Sequence, residues 1–90
     1  LTSNFKNYNF QVFLKRGIAL NTVGLNNEAI YFLNKASSLS KSQKELARIY
    51  FEKARVYFDL KDKDKACKNL NLSSSFGYKI SKSLNDKYCI

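Results

Sequence analysis

Histidine and proline are absent from this 90-residue chain, which holds two cysteines, three glycines and only seven acidic residues. Without histidine no imidazole base can act, and no triad built on one can form. Two cysteines without histidine also fall short of the ligands a zinc site requires. The glycines, Gly17, Gly24 and Gly77, stand singly, which excludes a glycine-rich phosphate loop. Asp59, Asp62 and Asp64 crowd one turn, but the glycine and terminal glutamate of a calcium loop are missing. Helix capping and pairing with nearby lysines account for these acids. No residue set calls for a metal or a cofactor, and the chain reads as a non-enzyme. No run of 18 apolar residues exists, so no membrane span is expected, and no signal-peptide pattern is visible. A chain that begins at Leu1 rather than Met is expected to be a piece of something longer.

A hydrophobic fraction of 44%, with seven Phe and six Tyr, argues against disorder. A domain of this length buries only roughly 60–65% of its unfolded surface, so repeats, a cross-link or a partner must extend a thin core. Sixteen basic residues against seven acidic ones give a net charge of +9. They are scattered, and the densest run, "KDKDKACK" (61–68), alternates with acids. Nucleic-acid binders more often gather Lys and Arg on one face, so a solvated basic surface is the plainer reading. An acidic protein or an anionic membrane surface remains a compatible partner.

Absence of proline suits helices joined by short turns. Helical spacing begins at Phe10 and runs through Phe13, Leu14, Gly17, Ile18, Ala19 and Leu20, with Gly24 as its left-handed stop. Asn26 or Asn27 is expected to cap a second helix carrying Ala29, Ile30, Leu33, Ala36 and Leu39. "SQKE" (42–45) matches a capping box, opening a long helix with Leu46, Ile49, Tyr50, Ala54, Tyr57 and Phe58 on its apolar face. Asp62 caps a fourth helix with Ala66, Cys67, Leu70 and Ser73, ended by Gly77. A last helix presents Ile80, Leu84 and Tyr88 four apart, with Lys79, Lys82, Ser83 and Asp86 toward water. No strand or hairpin pattern competes.

An internal repeat lies beneath this pattern. Gly17 and Ala54 are 37 apart, as are Ala29 and Ala66. In that register Phe13 falls on Tyr50, Arg16 on Lys53, Leu20 on Tyr57, Leu33 on Leu70 and Ala36 on Ser73. The two units, "FLKRGIALNTVGLNNEAIYFLNKASSL" (13–39) and "YFEKARVYFDLKDKDKACKNLNLSSSF" (50–76), resemble the tetratricopeptide repeat (TPR) family. That family's 34-residue helix hairpin alternates large and small residues in this order. With the last helix the resemblance covers about four-fifths of the chain, and the second copy makes it specific. Small residues at Gly17, Ala29 and Ala36 let crossing helices approach. The chain departs from the family in lacking the helix-ending proline, with Lys41 at the first such place. Three residues are inserted near "SKSQKE", and Asn26 and Lys63 stand where a tyrosine is common.

The resemblance implies an all-α fold: two TPR-like hairpins plus a C-terminal capping helix, a short right-handed α-solenoid. Residues 1–9 would be a linker or the end of a preceding helix, 10–41 and 42–76 the repeats, and 77–90 the cap. It implies a partner protein or peptide held on the concave face of the first helices. The matching positions are Gln11, Leu14, Ile18 and Asn21 in repeat one, and Arg48, Phe51, Arg55 and Phe58 in repeat two. The family's carboxylate-clamping members carry Lys and Asn where Leu14 and Ile18 stand, which argues against that specificity. Phe51 and Phe58 read equally as packing for further helices.

Cys67 and Cys89 lie ten residues before and twelve after the Gly77 turn, at nearly the same height in antiparallel helices. A disulfide is sterically possible there, the alternative being two buried thiols. "AC" in the fourth helix and "KYC" ending the fifth resemble the C-terminal end of TPR proteins of bacterial cell envelopes. The expected function is thus a protein-interaction module or accessory scaffold subunit of the envelope or periplasm, with a cytoplasmic place if the thiols are free. Nucleic-acid binding through the net charge, or self-association through the open N-terminal end, are the alternatives.

Overall fold

Capping side chains and left-handed turn residues set the helix boundaries. The computed structural model describes residues 9–89, which form five α-helices and no strand. The segment before Asn9 read as a linker lies outside the described residues. The Asn9 side chain accepts the Gln11 amide at 2.9 Å and opens α1 (Phe10–Thr22). Gly24 then adopts a φ of 85°, and the Leu25 N–H donates to the Leu20 carbonyl at 2.9 Å. Neither Asn26 nor Asn27 caps α2 (Asn26–Leu39), contrary to expectation. Leu25 holds the cap position, and the Asn26 amide oxygen instead accepts the Asn21 side chain at 2.8 Å.

At α3 (Gln43–Asp59) Ser42 Oγ accepts the Glu45 amide at 3.1 Å. The Glu45 carboxylate reaches back to the Lys41 N–H at 2.7 Å, one residue outside the usual box. Asp62 accepts the Lys65 amide at 3.1 Å and caps α4 (Lys63–Ser75). Gly77, with a φ of 100°, turns the chain into α5 (Lys79–Tyr88).

Each helix packs chiefly on its neighbours in sequence, and the molecule is elongated, 49 × 27 × 15 Å. Small residues sit where helices cross. A Cβ built on Gly17 would stand 2.7 Å from Leu33 Cδ2 and 3.2 Å from the Ala29 carbonyl oxygen, so α1 and α2 meet where no side chain fits. Ala36 lies in the same buried cluster as Ile49 of α3. Of the seven pairs in the 37-residue register, four are buried on both sides: Gly17 and Ala54, Ala29 and Ala66, Leu33 and Leu70, Ala36 and Ser73. Phe13, Leu20, Tyr50, Lys53 and Tyr57 are half-buried, and Arg16 is exposed.

Three expected apolar faces need correction. Ala19 is exposed on α1. On α3 the buried residues include Ala47, Val56 and Glu52, while Leu46, Tyr50, Tyr57 and Phe58 are half-buried. On α5 Ile80 and Tyr88 face outward, and Ser81 is the buried residue. Its hydroxyl donates to Ser73 Oγ at 2.7 Å, and Ser73 in turn donates to the Ala47 carbonyl at 2.6 Å. A polar chain through three helices thus decides which face of α5 turns inward, because a buried hydroxyl must find a partner. A disulfide joins Cys67 of α4 to Cys89, which ends α5, with Cα atoms 5.8 Å apart.

Candidate binding groove

Helix α1 approaches α3 far less closely than it does α2, and a groove of about 650 Å³ opens between them. Buried Leu14 and Ala47 and half-buried Ile18 form its apolar surface. Phe10 borders it on α1, and the turn before α5 supplies Phe76 and Tyr78. Exposed Gln11, Lys15, Lys44 and Arg48 edge it with Glu45. The spacing of Gln11, Leu14, Lys15 and Ile18, three and four residues apart, aligns them along one side of α1.

Of the eight residues expected on a partner-binding face, Gln11, Leu14, Ile18 and Arg48 therefore come together. The other four have partners within the chain. Asn21 Nδ2 donates to Asp59 Oδ2 at 2.8 Å as well as to Asn26, tying the end of α1 to the end of α3. The Phe51 ring lies 5.0 Å from that of Tyr78, with the Arg55 guanidinium 6.0 Å from the Phe51 centroid. Phe58 meets Tyr88 edge-on at 6.3 Å beside a shallower hollow that Lys61 and Lys63 share. Both phenylalanines thus pack at the ends of α5, Phe51 on its N-cap Tyr78 and Phe58 on its last residue Tyr88.

Sequence spacing missed Lys15, Lys44, Ala47 and the Phe76–Tyr78 turn. Lys15 is one helical turn from Gln11 and was findable by period. The turn was not, because 61 residues separate Lys15 from Phe76 (76 − 15 = 61).

Glu52 is the other residue sequence reading passed over. It is 7% exposed, yet carries a carboxylate. Arg55 Nη1 donates to Oε1 at 3.2 Å, and Arg48 Nε lies 3.8 Å from Oε2. Burial pushes the Glu52 carboxyl above its ordinary range, opposed by the charges of Arg55 and Arg48 and by the Arg55 hydrogen bond. Lys53, next along the chain, is shifted below the usual lysine range by burial.

Among the described residues no three His, Cys, Asp or Glu side chains come together to hold a metal. Among them, too, no helix is long and apolar enough to cross a membrane. Comparison with protein-family models, with curated proteins and with solved structures finds no match to this chain.

Proposed function

We propose that this chain is a non-enzymatic protein-interaction module, an accessory or scaffold subunit that takes a segment of a partner protein into the α1–α3 groove. The observation that carries this reading is the groove itself. It offers a half-covered apolar floor with a polar edge, the arrangement that lets a few buried anchors supply most of an interface's binding energy. The reading takes the two hairpins as TPR-type repeats of a short α-solenoid capped by α5. Burial on both sides of four of the seven pairs in the 37-residue register, those with a small or aliphatic residue at the helix crossing, supports that view. The Cys67–Cys89 disulfide supports an oxidising compartment, such as a bacterial cell envelope or periplasm.

Selection of a displayed random-peptide library against the full, oxidised chain tests the reading. Enriched peptides should share spaced apolar residues and perturb the amide resonances of Leu14, Ile18 and Ala47. Ile18→Asp should then abolish their binding while the helical circular dichroism stays unchanged. Enriched peptides that leave those resonances in place, or no enrichment at all, would refute it.

A further inference from the structure

The groove carries a charge asymmetry that its apolar floor does not require. Lys15, Lys44 and Arg48 stand at its edge, against the single acid Glu45. Glu45 is already engaged, accepting the Lys41 N–H at 2.7 Å. Neither Lys15 nor Lys44 forms an ion pair among the described residues. Arg48 has only a 3.8 Å approach to Glu52, whose hydrogen bond comes from Arg55, and its side chain is 51% exposed. Its guanidinium donors are therefore available for a second carboxylate, which it can take in a two-pronged fork.

We infer that the groove receives an acidic segment of a partner protein, with apolar anchors over Leu14, Ile18 and Ala47 and carboxylates paired with Lys15, Lys44 and Arg48. This rests on the protein-interaction reading above and adds the chemistry of the partner. The shape of the site favours a peptide over a nucleic acid. A single-stranded nucleic acid needs cations along its track and exposed rings for its bases to stack on. Here the cations flank a recess floored by buried Leu14 and Ala47, and two of its rings already face others within the chain, Phe76 on Tyr50 at 5.9 Å and Tyr78 on Phe51 at 5.0 Å. Alternating apolar and acidic residues satisfy recess and edge together, and the edge charges would steer the encounter.

Three labelled synthetic peptides of one length and one apolar spacing separate the possibilities: polar positions all Glu, all Gln or all Lys. Binding to the full, oxidised chain is followed by fluorescence anisotropy at physiological salt, and the site by amide shifts. The Glu peptide should bind about tenfold more tightly than the Gln peptide, the Lys peptide weakest, all three shifting Leu14 and Ile18. Lys15→Glu with Lys44→Glu should remove about tenfold of the Glu peptide's affinity and leave the Gln peptide's unchanged. Lys35→Glu with Lys68→Glu, exposed and outside the groove, makes the same change in net charge and should cost about twofold or less. Equal losses from the two pairs would reduce the preference to overall charge and overturn the inference. Equal binding of Glu and Gln peptides at the groove would overturn it while leaving the interaction reading intact. Failure of every peptide to shift Leu14 and Ile18 would remove both. Stronger competition at those resonances by a single-stranded oligonucleotide of equal charge would replace the peptide partner with a nucleic acid.

Discussion

Where α1 crosses α2, Gly17 lies under Leu33 and the buried cluster is wholly apolar. Where α3 crosses α4, the position in the same register holds Ala54, and the surroundings include Glu52, Asn69 and Ser73, all buried and all polar. Each of these polar groups has a partner: Arg55 for Glu52, the Lys65 carbonyl for Asn69 at 2.8 Å, and the Ala47 carbonyl for Ser73. The first hairpin relies on close approach, which leaves no room for a methyl group. In the second, one of these hydrogen bonds, Ser73 to the Ala47 carbonyl, crosses between the helices, and a disulfide ties α4 onward to Cys89 at the end of α5. A hairpin with another hairpin against it can hide alanine at its outer crossing, as Ala36 does beside Ile49. On its other side the second hairpin meets the short α5, which carries a serine to that crossing, so Ser73 answers Ser81.

The largest test of this contrast is reduction of the disulfide. Opening a link across 22 residues should lower the unfolding free energy by about 3 kcal/mol, read from denaturant melts with and without reductant. Hydrogen exchange should then quicken in α5 and leave α1 and α2 protected. Uniform quickening would make the two regions one cooperative unit and dissolve the distinction. Next is Gly17→Ala, expected to cost about 1–3 kcal/mol by crowding Leu33, despite the roughly 1 kcal/mol by which alanine favours a helix. A stabilised Gly17→Ala variant would show that Leu33 gives way and that the two crossings are interchangeable.

Ser73→Ala should cost about 1–2 kcal/mol, because the Ser81 hydroxyl and the Ala47 carbonyl both lose a buried partner. Replacing Ser73 and Ser81 together by alanine should cost less than the single change, giving the last crossing the composition of the first. The smallest effect belongs to Glu52. Its raised folded-state value makes a contribution to stability that is full below the ordinary carboxylate value of 4.5 and is lost as pH rises through the folded value. In Glu52→Gln that decline should disappear from unfolding midpoints measured from mildly acidic to neutral pH, leaving the flatter profile of a core without this carboxyl.

The same contrast explains how far the chain could be read in advance. Helix ends were legible wherever one side chain decides them: Ser42 and Asp62 as caps, Gly24 and Gly77 as turns with φ of 85° and 100°. The tight crossings were legible too, since Gly17, Ala29, Leu33 and Ala36 admit little variation in size. The reading failed where polar residues are buried. Ile80, Leu84 and Tyr88 have the spacing of an inward face, but α5 packs chiefly on α4 and turns inward the serine that pairs with Ser73. Asn26 matched a capping residue by type, and its side chain is occupied by Asn21. Half of the groove was legible because its α1 side obeys a helical period. The facing wall comes from α3, where Arg48 was legible and Lys44 and Ala47 were not. The turn with Phe76 and Tyr78 is brought in from far along the chain, so no local pattern announces it.

The bond between Cys67 and Cys89 also gives the molecule a mechanical direction. Tension applied between Asn9 and Cys89 passes through sulfur and bypasses the 21 residues between the two cysteines, so α5 is shielded from it. A stretched oxidised chain falls short of the reduced one by about 70 Å, the contour of that enclosed loop less the span of the bond. Helix α1, which carries one wall of the groove, has no such covalent tie. Traction on a bound partner or on the N-terminal side would therefore slacken the grip of the groove before it loosened the stapled end.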